Sequence, residues 1–270
     1  MRIGYQGEDL SYSHQAVTEL YPDGRHVGYQ SFVAAFEAME ALEVDHLVLP
    51  IENSTTGSVR PVLDRLIRGG FHIVAEHLVE VRHALLGVPG SMLSEIKSVR
   101  SHPEALAQAE AFLTHHSWEA VPTHDTAGAV RQVAELGDHT QAALAPVAAA
   151  EPLGLEVLAT DVVDRHHNTT RFVVLDVGDA EVGPEADKSS VAFSTLHQPG
   201  ALALALTELG LRGAQLTWIE GRPADEAWTA RFFIDLVHSP GPPGLAAIFE
   251  PRPATIADLR FLGSYRAASR

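Results

Sequence analysis

Apolar and polar positions fall along this chain in blocks whose period keeps changing. "RIGYQ" at residues 2–6 reads as a strand, and residues 11–20 read as a helix opened by a serine. "SFVAAFEAMEAL" sets apolar residues at helical spacing behind Ser31, a residue suited to an N-cap. "HLVLP" predicts a buried strand ending at Pro50, and "SVRPVLDRLIRGG" a helix stopped by paired glycines. "HPEALAQAEAFL" and "DTAGAVRQVAEL" predict further helices, with "QAALAP" a strand among them. Such alternation implies an α/β domain with mainly parallel pairing, whose ligands gather at the C-terminal ends of strands.

After Asp176 the pattern changes. "VGDAEVGPEAD" is rich in glycine and acid without apolar periodicity, and reads as a linker. Beyond it "KSSVAFSTL" reads as a strand, "PGALALALTELG" as a helix, and "AQLTWIE" and "WTARFFIDLV" as strands. "PGLAAIFE" starts a helix, and a closing strand lies within "TIADLRFLGSY". The order β-α-β-β-α-β suits a ferredoxin-like module. The chain therefore divides into residues 1–178 and 187–265.

Composition narrows the chemistry. A length of 270 residues with 46% apolar content leaves room for two domains with real cores. The net charge of −16 opposes nucleic-acid binding, yet a small anion needs only a few local donors. With no cysteine there are no disulfides, thiolate nucleophiles or cysteine-held metals. The 15 histidines invite a metal, but His115-His116 and His166-His167 are adjacent pairs poorly placed to chelate jointly, and no HExxH occurs. No GxGxxG or P-loop suggests a nucleotide, so no cofactor is expected. "AALAPVAAA" is too short to span a bilayer, and the N-terminus has no secretory pattern. The expectation is a soluble, cytoplasmic protein without a membrane partner.

Two polar stretches stand out. In "LPIENSTTGSV" the residues Asn53, Ser54, Thr55, Thr56 and Ser58 lie between a strand and a helix start, where an anion is favoured; plain capping accounts for them equally well. In "NTTRFVVL" strand alternation puts Thr170, Phe172 and Val174 on one face and Thr169, Arg171 and Val173 on the other. An arginine there holds a carboxylate or fixes a neighbouring loop. His102, before a proline, and Asp125 with Thr126 mark two further helix starts, where capping is the default.

Taken in order, "GYQGEDLSYSHQAV", "PIENSTTGSV", "VRHALLGVPG", "SHPEALAQAEAFL", "DTAGAV", "AALAPVAAAEPLGLEVLA" and "NTTRFVVL" resemble the prephenate dehydratase family. "QPGALALAL" and "WIEGRP" resemble the GAL and ESRP motifs of its C-terminal ACT regulatory domain. The resemblance implies two α/β lobes around a cleft, similar to type 2 periplasmic-binding proteins, with roughly residues 1–75 and the strand after Thr169 in one lobe. It implies prephenate as substrate, no cofactor, and Thr170 as proton donor to the leaving hydroxyl. Asn53, Ser54 and Thr55 would bind substrate, Arg171 would bind a carboxylate or brace the cleft, and Phe172 would pack beneath it. L-phenylalanine would bind between ACT domains through Gly200, Ala201, Leu202, Glu220, Arg222 and Pro223, in a homodimer or homotetramer. Arogenate dehydratase is the rival enzyme, and a non-catalytic amino-acid sensor the rival outside enzymes.

Three positions depart from the family pattern. Leu10 replaces a glycine, which bears on a turn near the cleft. Glu104 replaces a glutamine, with little consequence expected. Gly221 replaces the serine of ESRP and removes a hydroxyl from the effector motif.

Overall fold

The computed structural model describes residues 1–164, 168–178, 180–224 and 229–268. The histidine pair His166-His167 and Trp228, where a strand was expected to begin, lie outside the described residues. The chain builds a first lobe, crosses to a second, returns for one strand, and ends in a separate C-terminal unit.

The first lobe contains β1 (Arg2–Gln6), α1 (Tyr12–Leu20), β2 (Arg25–Tyr29), α2 (Phe32–Glu40), β3 (His46–Asn53), β4 (Gly57–Ser58), α3 (Arg60–Arg68) and β5 (His72–Glu80). Ser11 and Ser31 cap α1 and α2 as expected, each side chain accepting a backbone N–H three residues on. Helix α3 begins with Pro61 in its first turn, carries Arg65 and Arg68 in its last, and stops at Gly69.

The second lobe holds β6 (His83–Gly87), β7 (Ser98–Ser101), α4 (Pro103–Gln108), α5 (Glu110–His116), β8 (Glu119–Pro122), α6 (Thr126–Leu136), β9 (Gln141–Pro146) and β10 (Glu156–Ala159). Strand β11 (Thr169–Asp176) then returns to the first lobe, between β3 and β5. That return corrects the expectation of mainly parallel pairing. β1 pairs in parallel with β2 and β3, but β11 runs antiparallel to both β3 and β5. In the second lobe β7 pairs in parallel with β8 and β9, while β6 is antiparallel to β9 and β10. Strand β11 starts beside the end of β5, with Thr169 opposite Glu80, and so runs back along it.

Strand β3 also outruns its expected end at Pro50. A central strand tolerates proline poorly, because it lacks a ladder N–H. Here the register skips at Ile51, with Arg171 opposite Glu52 and Phe172 opposite Pro50. This bulge admits the proline and carries the strand on to Asn53.

The C-terminal unit consists of β12 (Lys188–Thr195), α7 (Ala201–Leu211), β13 (Gln215–Pro223), β14 (Ala230–Val237), α8 (Gly241–Phe249) and β15 (Ile256–Tyr265). Its antiparallel sheet has the order β13-β14-β12-β15, the ferredoxin-like arrangement expected. One face packs on its own helices. The other shares a core with the first lobe, where Ala192, Phe233, Leu262 and Tyr265 meet Leu47, Leu49, Val173 and Leu175. At Gly263, with φ +142°, a Cβ would lie 2.1 Å from the carbonyl oxygen of Ile73, so only glycine permits this approach of the two sheets. No helix among the described residues is long and apolar enough to cross a membrane.

Candidate active site

A cavity of about 230 Å³ lies between the lobes. The first lobe contributes Tyr12, Asn53, Asn168 and Thr170; the second contributes His83, His102, Glu104, Gln108, Asp125 and Thr126. Three of these come from the ends of β3 and β11, where adjacent strands bring the two polar stretches together, Thr170 directly opposite Asn53.

Asn53 organises this corner. Its Nδ2 donates to Thr170 Oγ1 at 2.9 Å and to Asn168 Oδ1 at 2.6 Å. Its Oδ1 accepts the backbone N–H groups of Thr55 at 2.9 Å and Thr56 at 3.0 Å, closing an Asx turn. All its polar capacity is committed, which fixes its rotamer. Because Asn53 donates to the threonine oxygen, the Thr170 hydroxyl keeps its own proton for another acceptor.

Several contacts span the cleft. Asn168 Nδ2 donates to Gln108 Oε1 at 2.9 Å, and the Tyr12 hydroxyl meets His83 Nδ1 at 3.1 Å. Arg131 on α6 pairs with Glu8, and Leu10 packs on the apolar cluster of the second lobe. His83 is only 5% exposed, and burial pushes its pKa down to about 4, so it is neutral at pH 7. Burial likewise raises Tyr12 above the usual tyrosine range. His102 and Asp125 cap α4 and α6 by accepting the N–H groups of Glu104 and Gly128, so the capping reading holds for both.

Of the expected substrate contacts, Asn53 alone joins Thr170 in lining this cavity. Ser54 and Thr55 do not line it: Ser54 Oγ accepts Thr169 N at 2.9 Å on the other side of the strand pair, and Thr55 closes the Asx turn. Phe172 lies beneath the cleft, buried among Tyr5, Val17, Val48 and Val174. Arg171 points away from it altogether. Its guanidinium reaches Glu52 and Glu76 at 3.2 Å and Asp235 at 2.6 Å, and stands 4.9 Å over the Trp218 ring. Of its two proposed roles the bracing one therefore fits, because strand alternation forces the side chain to the opposite face. Burial opposes its charge, but Asp235, Glu76 and Glu52 outweigh that and raise its pKa.

The C-terminal candidates separate into two places. Gly200, in the left-handed conformation at φ 78°, opens α7 and with Ala201 and Leu202 lines a shallow cavity. Glu220 and Arg222 instead engage the first lobe. Glu220 Oε2 accepts Ser58 Oγ at 3.0 Å, and Arg222 holds both oxygens of Asp64 at 2.7 and 2.8 Å, which lowers the Asp64 pKa. Pro223 ends β13, a sheet edge. Sequence reasoning missed Tyr12, His83, Gln108 and Asn168 as cleft residues, and it passed over Glu104, whose carboxylate lines the cavity. All four lay within quoted stretches, and a histidine inside an otherwise apolar strand was the one available signal.

A family model for prephenate dehydratase matches residues 3–179. Arogenate dehydratase 2 of Petunia hybrida is 41% identical over 226 residues, which are 83% of this chain and 57% of that protein. This chain thus spans less than two thirds of the plant relative. Prephenate dehydratase of Mycobacterium marinum (strain ATCC BAA-535 / M) is 34% identical over 98% of this chain and 88% of its own length. The crystal structure of prephenate dehydratase from Arthrobacter aurescens in complex with L-Phe aligns with a TM-score of 0.83 at 31% identity, covering 99% of this chain and 90% of that one. The matched residues 3–179 hold both lobes and the whole Asn53–Thr170 corner, and this chain belongs to the prephenate dehydratase family.

Proposed function

We propose that this protein converts prephenate to phenylpyruvate, with Thr170 as the proton donor. The hydrogen bond from Asn53 to Thr170 Oγ1 at the mouth of the interlobe cavity carries this reading. The C–CO2 bond breaks and its electron pair enters the ring. The ring hydroxyl departs from the far side, taking a proton to leave as water. The released CO2 and the aromatic ring make the step strongly downhill, so the catalyst has to orient the substrate and help a poor leaving group. A threonine hydroxyl is a weak acid, and its hydrogen bond strengthens as negative charge grows on the departing oxygen. No cofactor enters this chemistry. Thr170→Ala should lower kcat by about a hundredfold or more, comparable to losing one oxyanion donor. Normal turnover by that variant would end the assignment.

A second reading concerns the substrate. Among the described lining residues there is no lysine or arginine, while Glu104 places a carboxylate in the cavity. The ammonium that arogenate carries in place of the keto oxygen of prephenate suits a corner holding a carboxylate better than that neutral carbonyl does. The similarity to plant arogenate dehydratases points the same way. Assaying both substrates side by side decides between them.

For regulation we infer L-phenylalanine as effector at the Gly200–Leu202 turn, completed by the Glu220–Pro223 edge of a second subunit in a homodimer or homotetramer, in the cytoplasm. The reading is supported by the phenylalanine complex of the Arthrobacter relative. Binding of L-phenylalanine by calorimetry, with altered turnover, is the test.

A further inference from the structure

We infer that Asp235, in the C-terminal unit, is a positioning residue for Thr170 and acts through Arg171. This rests on Thr170 being the proton donor. Thr170 and Arg171 are consecutive in β11, so whatever fixes the guanidinium fixes the backbone that carries the hydroxyl. The arginine side chain is 7% exposed and that of Asp235 is fully buried, and their 2.6 Å contact joins the catalytic sheet to the C-terminal sheet. The carboxylate is itself held from behind: Ser190 Oγ donates to Asp235 Oδ1 at 2.5 Å and meets the Tyr265 hydroxyl at 2.7 Å. The chain of contacts therefore runs from the core of the C-terminal sheet to the residue beside the donor.

A buried ion pair is rigid because separating it strands two charges. Proton transfer, for its part, tolerates little misplacement, and about 1 Å costs on the order of a hundredfold in rate. A small shift of the C-terminal sheet against β11 would thus reach the reacting hydroxyl directly. The same interface offers an internal control. Arg260 Nη1 on β15 donates to the carbonyl oxygen of Ile67 at 2.7 Å, a contact between the same two units that involves neither Arg171 nor its three carboxylates.

The experiment compares Asp235→Asn with Arg260→Gln in the full-length protein, measuring kcat per folded molecule and KM for prephenate and arogenate, beside Thr170→Ala. Positioning predicts that Asp235→Asn lowers kcat by about tenfold or more with KM within about twofold, while Arg260→Gln loses stability but keeps its kcat. Equal kcat in folded Asp235→Asn and the unsubstituted protein would overturn the inference, as would an equal loss in both variants. If Asp235→Asn fails to fold, Ser190→Ala decides: a fall of about threefold in kcat supports it, and an unchanged kcat overturns it. Full activity in Thr170→Ala would instead sink the catalytic reading, so the two failures are distinguishable.

Discussion

The two faces of β11 differ as sharply as any two parts of this protein. On one face Thr170 meets a neutral amide and an open cleft. On the other, one residue along, Arg171 is enclosed by Glu52, Glu76 and Asp235 beneath the C-terminal sheet. The cleft face holds groups whose contacts can change during a reaction. The buried face holds charges whose contacts must not. A strand with a period of two separates these duties at no cost in sequence length, and it makes the proposed donor and the anchor neighbours.

The sharpest test of that division sets two substitutions against each other. Arg171→Met leaves three carboxylates without their shared cation and should destabilise the fold by about 3–5 kcal/mol, as breaking buried pairs does. Thr170→Ala should change stability by less than about 1 kcal/mol while removing most of the activity. Urea unfolding of both variants checks this. A Thr170→Ala protein as unstable as Arg171→Met would show that the hydroxyl is structural and erase the contrast.

The cleft has its own buried titrating group, and pH probes it. His83 stays neutral in the folded protein down to about pH 4, whereas the unfolded chain takes up that proton near 6.5. Between these values the unfolded state binds more protons, so the contribution is complete above about pH 6.5 and is lost as pH falls towards 4. A depression of this size corresponds to about 3 kcal/mol. Unfolding free energies measured at pH 7 and pH 4.5 should show the loss, and His83→Gln should flatten it. An unchanged slope in that variant would mean that the histidine is solvated rather than sealed against Tyr12.

Much of the arrangement was legible in the chain, and the reasons for the rest are specific. Caps, periodicity and the β-α-β-β-α-β order were local signals, and alternation alone put Thr170 and Arg171 on opposite faces. What failed was long-range. "HPEALAQAEAFL" breaks into two helices at Ala109, because Asp164, far along the chain, accepts the N–H of Ala111 and caps a new helix there. The Asn168–Gln108 and Tyr12–His83 contacts join residues from different lobes, and no local pattern announces them. The strand beyond Pro50 needed a bulge that only its partner strand defines.

Glu104 gives a smaller effect on the cleft side. It is a surface-exposed carboxylate at the cavity rim, and its Oε1 receives Gln108 Nε2 at 3.4 Å. Glu104→Gln should raise kcat/KM for prephenate by about tenfold and leave or lower that for arogenate, the change of one unit charge in a partly solvated site. Equal changes for both substrates would place the effect on cleft geometry instead of charge.

The smallest effect concerns the loop before α1, which reaches from the first lobe to the second. Leu10 adopts φ 70°, a left-handed conformation that costs a leucine about 1 kcal/mol and a glycine almost nothing. The strain is held because the side chain packs on the second lobe's apolar cluster and the backbone N–H donates to His14 Nδ1 at 3.2 Å. Removing the side chain therefore has two opposed consequences. Leu10→Ala loses the interlobe packing and keeps the strain, so it should fall about 1 kcal/mol below the unsubstituted protein. Leu10→Gly loses the same packing but relieves the backbone, and should lie about 1 kcal/mol above Leu10→Ala. The order of the two variants in urea unfolding is the reading that matters. Glycine below alanine would mean that residue 10 is not left-handed in solution, and the leucine would then stabilise the contact between the lobes with nothing to offset.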